Sequence, residues 1–476
     1  MDIELVFMRA TEVADRIRRR ELSAVEHVEA VLAAIETWQP HINAFVTVSA
    51  DAARAAARAA DQRVADGSAL GSLHGVAVSV KDLVDVAGLP CKKGSRLHAD
   101  DVPREDAPAV ARLRDAGAIV VGKTTTPELG HKALTDSLLD GVTRNPWDLA
   151  RTPGGSSGGA SAAVAAGLGP LAVGTDGAGS IRGPAASAGI VGLKPTRGAV
   201  PHHGAGDPFG NQSFTGPMTR TVADAAHMLA VMAGPHADDP FSLGGRLEAP
   251  DPRRIAGDLA GLSIGYAERM ANPEVDPAVV ANTEASLSAL EALGARVEPL
   301  PDGFDWCEPA GRVLYQSGIA ARVLPLLAQS RADLTPSLVR FAEWGERWTA
   351  RDVAAAVAAR GDLYRRVQAL LGRHDVLVSP TTACTALAAD FDATADVVIN
   401  GRPCGITRQS WTAYQYPFNL TGHPAVSVPS GFAPDGLPTG LQIVGRWWRD
   451  LDVLAVAAAL ERARPWAARR PRLPAT

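Results

Sequence analysis

Apolar residues Val25, Val28, Val31, Leu32 and Ile35 recur at helical spacing across 22–38, with Ser23 placed to cap the start. The Ala/Arg-rich run 51–66 predicts a second helix, stopped at Gly67. The period then changes. Residues 73–80, with Val76, Val78 and Val80, read as a short buried strand, and 118–121 as another after a helix ending near Gly117. Further strands are expected at 190–193, 262–266, 376–378, 425–428 and 441–444, with a helix over 277–293. Helix and strand alternate, which favours an α/β sheet that the last quarter of the chain rejoins. Pro and Gly at 235–252 suggest a surface excursion. Residues 300–349, carrying Trp306, Trp344 and Trp348, predict a helical region that caps a site.

Composition narrows the class. The chain has 476 residues, 46% hydrophobic and 21% charged, and a formal charge of −5, so it can bury a large core and shows no electrostatic footprint for nucleic acid. The length fits two or three average domains or one large sheet. Cys91, Cys307, Cys384 and Cys404 are scattered, without zinc spacing or disulfide density, and read as reduced thiols of a cytoplasmic protein. The N-terminus lacks an apolar run with a cleavage site, and the uncharged stretch 152–175 is too rich in Gly, Ser and Ala for a membrane span.

Candidate chemistry concentrates at 153–184, PGGSSGGASAAVAAGLGPLAVGTDGAGSIRGP, where two serine-centred glycine clusters share one stretch. Glycine lets backbone N–H groups converge on an anion or a developing oxyanion. A flexible linker is a poorer reading, because apolar residues bound each cluster. Neither cluster carries the P-loop pattern or a dinucleotide fingerprint, so no nucleotide cofactor is expected. The eleven histidines show no pairing with either serine, and no G-x-S-x-G elbow is present. Lys81 follows an apolar strand. Read from the residues alone it is first a strand-end lysine reaching for water, and second a desolvated, neutral base.

Three blocks reverse that order. GVAVSVKDLVDVAG (75–88), GGSSGGASAAVAAG (154–167) and GTDGAGSIRGPA (174–185) closely resemble the blocks of the amidase signature family, in order and with 24 positions between Ser156 and Ser180. HDVLVSPTT (374–382), NLTGHPAVSVPSGF (419–432) and GLPTGLQIVG (436–445) extend the resemblance weakly to the C-terminal part. It implies a three-layer α/β/α fold with a large mixed central sheet flanked by helices, one amidase domain over 1–476, and a signature core at 73–200. It further implies a Ser180 nucleophile, a Ser156 relay after a cis peptide bond, a Lys81 base, and an oxyanion hole from Gly177, Ala178, Gly179 and Ser180. Ser157, Asp176 and Arg182 match supporting polar positions, whose alternative is loop bracing.

The sequence also departs from the family. Ala178 stands where relatives usually carry glycine, which either narrows the acyl side or points away. Asp140 replaces an aromatic residue and reads as an exposed loop acid. Thr412 falls where the glutaminase subunit of the tRNA-dependent amidotransferase holds its substrate's amino group with an acid. The function expected is therefore hydrolysis of small to medium-sized uncharged amides, hydrophobic or aromatic if WTAYQYPFN (411–419) and the tryptophans line the pocket, although tryptophans at such spacing more often pack core or helices. Carbamates follow second and glutamine third, and a catalytically silent binding protein is the reading from another class. No cofactor, metal, nucleic acid or membrane partner is expected. His202 and His203 read as surface residues, and a homodimer is allowed.

Overall fold

The capping signal at Ser23 is realised in full. Its hydroxyl accepts from the Glu26 N–H while the Glu26 carboxylate accepts from the Ser23 N–H, and the helix Ala24–Ile42 runs from there to Asn43 in left-handed geometry. The computed structural model describes residues 3–300 and 308–472, so Trp306 and Cys307 lie outside the described residues.

Eleven strands form the central sheet. In chain order they are β1 Phe45–Val48, β2 Ala77–Lys81, β3 Ile119–Thr124, β4 Leu171–Asp176, β5 Val191–Lys194, β6 Phe214–Thr219, β7 Ser263–Tyr266, β8 Arg296–Pro299, β9 Val376–Pro380, β10 Ala425–Phe432 and β11 Pro438–Val444. The spatial order is β1-β3-β2-β4-β6-β5-β10-β11-β9-β7-β8. Strands β3, β2 and β4 are parallel, as are β9, β7 and β8, and the pairs between β4 and β9 are antiparallel. Helices flank the sheet, as the resemblance implied, and β9, β10 and β11 return the last quarter of the chain to it.

The parallel pairing of β2 with β4 matters for the site. Both strands end at the same edge, so Lys81, last in β2, and Asp176, last in β4, are brought close together. The predicted strand 73–80 is shifted: residues 73–76 form a turn, with Gly75 at φ +79°, and β2 occupies 77–81. Strands β1, β4, β6 and β8 were not predicted. Strand β4 is buried on both faces and therefore shows no alternation, and β6 contains Gly216 and Pro217, which ordinarily break strands.

The helix Gly158–Ala165 consists of small residues and is fully buried. Close packing requires this: a Cβ on Gly159 would stand 2.3 Å from Thr125 Oγ1. The excursion at 235–252 holds only a short helical turn, Pro240–Ser242, though Asp239 and Ser242 are buried. Trp344, Trp348 and Trp411 are packing residues. Trp344 stacks on Phe341 with ring centres 5.2 Å apart, Trp348 Nε1 donates to Gln316 Oε1 (2.9 Å), and Trp411 is buried with Nε1 donating to the Cys384 carbonyl (3.1 Å). Among the described residues no helix is long and apolar enough to cross a membrane.

Candidate active site

Lys81 has no solvent exposure, and its amine is met by three oxygens. Nζ lies 2.6 Å from Ser156 Oγ, 2.9 Å from Ser157 Oγ and 3.4 Å from the Thr175 carbonyl. No carboxylate forms an ion pair with it among the described residues. Burial pushes the Lys81 pKa well down, and Asp176 only partly opposes this. The lysine that a sequence reader would first place in water is thus inside the protein. Ser157 Oγ is saturated: it donates to the Thr175 carbonyl (3.0 Å) and accepts from Lys81 and from the Thr175 N–H (3.3 Å). Ser156 follows a cis Gly155–Ser156 bond and has Lys81 as its hydrogen-bond partner.

Ser180 is joined to this group through its backbone, its carbonyl accepting from the Ser157 N–H at 3.1 Å. It is partly exposed and lines a cavity of about 580 Å³, measured to its open mouth. The loop carrying it is braced by a buried ion pair. Arg182 Nε donates to Asp176 Oδ2 and Nη2 to Oδ1, both at 3.0 Å, with neither side chain exposed. Burial alone would raise the Asp176 pKa, but Arg182, Asn419 and Lys194 outweigh it and hold the carboxyl well below the usual carboxylate range.

Sequence reasoning had not assigned roles to Asn419, Gln415 and Gln442, which complete this network. Asn419 Nδ2 donates to Asp176 Oδ1 (2.8 Å), while Arg182 Nη1 donates to Gln442 Oε1 (2.7 Å) and to the Gln415 carbonyl (2.8 Å). The only advance signal was their place in or beside the weaker C-terminal blocks. Arg182→Leu would leave Asp176 charged and uncompensated in the interior, so it is expected to destabilise the fold by about 3–5 kcal/mol. Urea unfolding reads this directly, and an unchanged midpoint would contradict it.

The four expected oxyanion donors are not equivalent. The Gly179 N–H donates to Asp176 Oδ1 (2.6 Å), whereas those of Gly177, Ala178 and Ser180 have no acceptor among the described residues. Gly179 has a different constraint: at φ +112° a Cβ there would stand 1.7 Å from Gln415 Oε1. Only glycine fits between the carboxamide and the loop. Ala178 lines the cavity and packs against the buried apolar cluster that includes Leu134, Phe341 and Tyr414. Asp140 is half-buried rather than exposed. Its N–H donates to Ser137 Oγ and its carbonyl accepts from Asn43, and burial, with Asp82 nearby, pushes its pKa up to about 6.

Opposite Ser180, the helices Glu308–Val323 and Pro336–Glu346 supply Arg312, Tyr315, Gln316 and Phe341 to the cavity wall. The segment 406–415 supplies Arg408, Thr412 and Gln415. The aromatic rings that reach the cavity are Tyr315 and Phe341, and none of Trp344, Trp348 and Trp411 lines it. Thr412 does line it, where an amino-group-binding acid would have been needed. The acid on the wall, Glu308, is paired with Arg312.

Comparison with known proteins identifies the family. The Amidase family model matches residues 26–454. An acylamidase from Rhodococcus erythropolis is 41% identical over 470 residues, spanning 98% of each chain. The A-subunit of the glutamyl-tRNA(Gln) amidotransferase from Acidothermus cellulolyticus is 36% identical, covering 97% of this chain and 95% of that one. The crystal structure of a bacterial aryl acylamidase of the amidase signature enzymes superposes with a TM-score of 0.88, at 31% identity and 97% coverage of both chains. The chain therefore belongs to the amidase signature family, the hydrolases of carbon–nitrogen bonds.

Proposed function

We propose that the protein hydrolyses small amides through an acyl-enzyme on Ser180, with Ser156 as proton relay and Lys81 as base. The observation that carries this reading is the hydrogen-bond arrangement around Lys81 Nζ. A neutral amine has two N–H donors and one lone pair. Ser157 Oγ, whose proton is committed to Thr175, and the Thr175 carbonyl are acceptors and take the two donors. The lone pair is left for the Ser156 O–H at 2.6 Å. The Ser156 oxygen is then free to accept a proton from Ser180.

In the forward step Ser180 Oγ bonds to the amide carbonyl carbon as its proton passes through Ser156 to Lys81. The C=O electron pair becomes an oxyanion, which the N–H groups of Gly177, Ala178 and Ser180 are suited to receive. Gly179 holds the loop through Asp176. The C–N bond then breaks as the relay returns its proton to the departing nitrogen, and water repeats the sequence on the acyl-enzyme. Asp176 and Arg182 keep the loop in place without touching the reacting atoms. The whole chain acts as one domain around the 73–200 core, with the helices of the 300–350 region as the cap.

The substrate reading is a small amide with an aryl or hydrophobic portion, which Tyr315 and Phe341 would contact. The likeness to an acylamidase and to an aryl acylamidase supports it, and Thr412 weighs against glutamine. A panel of acetanilide, an aryl carbamate and glutamine tests it. Acetanilide is expected to be the best substrate, with glutamine at background. Faster release of ammonia from glutamine would overturn the assignment.

A further inference from the structure

Three cations line the cavity, and two have partners. Lys132 Nζ is 2.7 Å from Asp136, and Arg312 is paired with Glu308. Arg408 is the exception: no carboxylate lies within ion-pair distance of it among the described residues. Instead its guanidinium carbon sits 3.5 Å from the centre of the Tyr315 ring and 5.3 Å from that of Tyr416. This platform is fixed from behind, since the Tyr315 hydroxyl donates to the His131 carbonyl and the Tyr416 hydroxyl bonds to Gln212 Oε1 (2.9 Å).

The loop under Arg408 is equally fixed. The Gln409 N–H donates to the Ile406 carbonyl and the Thr412 N–H to the Thr407 carbonyl, both at 2.8 Å. A stacked guanidinium keeps its edge donors in one plane, a fork that matches a carboxylate and that a point charge such as ammonium does not reproduce. Burial, with Lys132 and Arg408 adding to it, pushes the pKa of the neighbouring His131 down to about 3. A half-buried cation without a counter-charge among the described residues, preorganised on two anchored rings and opening on the amide site, is built to receive an anion.

We propose that Arg408 binds a carboxylate of the substrate, so that the enzyme favours amides carrying a carboxylate at one end over neutral analogues of similar size. This rests on the cavity being the amide site, as proposed above, and replaces an uncharged substrate by an anionic one. The carboxylate can come from the acyl side or the amine side, and two substrate pairs separate these. N-phenylsuccinamate against N-phenylbutanamide tests the acyl side; 4-acetamidophenylacetate against N-(4-ethylphenyl)acetamide tests the amine side.

In the wild type, the charged member of one pair is expected to lead in kcat/KM by roughly tenfold or more, chiefly through KM, and the lead is expected to shrink in 0.5 M salt. Arg408→Gln should lower the charged-to-neutral ratio by roughly tenfold, and Arg408→Lys should restore part of it. A neutral preference in both pairs, or a ratio unchanged by Arg408→Gln, overturns the proposal. The wild-type ratio and its salt dependence decide the matter even if a variant does not fold. Because the readout is a ratio, it is independent of the nucleophile: Ser180→Ala turnover tests the Ser180 reading, and a lost preference with intact Ser180 dependence counts against Arg408 alone.

Discussion

Ser180→Ala is expected to lower kcat on acetanilide by roughly 10⁴- to 10⁶-fold, the range seen when a catalytic serine that acts with its partners as one unit is removed. Little else should change. Ser180 is tied to the rest of the site through its backbone carbonyl, which accepts from the Ser157 N–H and survives the substitution. Its side chain faces the cavity, so losing the hydroxyl exposes no unpaired buried group. Unfolding midpoint and substrate KM should therefore stay close to wild type, separating loss of chemistry from loss of structure. Undiminished turnover in this variant would remove Ser180 from the mechanism.

Lys81→Met should produce a different pattern, splitting amides from activated esters. Methionine fills the buried space of the lysine stem but has no lone-pair nitrogen to take or return the Ser156 proton. An amide nitrogen must be protonated to leave, whereas a p-nitrophenolate leaves unaided. The ratio of kcat/KM for acetanilide to that for p-nitrophenyl acetate is thus expected to fall by roughly 10²-fold or more. Equal losses on both substrates would show that the lysine serves structure rather than proton transfer. The wild-type pH profile carries the same sign. Burial lowers the Lys81 pKa, so the neutral, active form dominates above that lowered value, and amide turnover should fall as pH drops through it. A rate that rises on acidification would contradict a neutral lysine base.

The site was partly legible in the residues. Glycine density between 153 and 184 announced a backbone shaped for close approach, and the close approaches at Gly159 and Gly179 give the physical content of that signal. Lys81 was legible only through resemblance, because a lysine at the end of a strand carries no local mark of burial. Asp176 and Arg182 could be named as a supporting pair, but their role needed Asn419, Gln415 and Gln442, which stand more than 230 positions away in sequence. Of the two readings of the described tryptophans, packing holds and pocket lining does not. Trp344, Trp348 and Trp411 pack the cap and core, and Tyr315 and Phe341, which sequence reasoning did not single out, face the cavity. Spacing could not distinguish rings that line a cavity from rings that support its wall.

By itself the sequence determined the alternation of helix and strand, the capped start at Ser23, and the close packing imposed by glycine, because these depend on neighbours a few residues apart. It also determined which residue types were available for chemistry. The tertiary structure decided the rest. Parallel pairing of β2 with β4 set Lys81 near Asp176; burial from several elements at once lowered the Lys81 pKa; and the distant segments 308–346 and 406–415 decided which charges face the cavity. Protonation and selectivity are set by the field of groups surrounding a site, and that field exists only once remote parts of the chain have met.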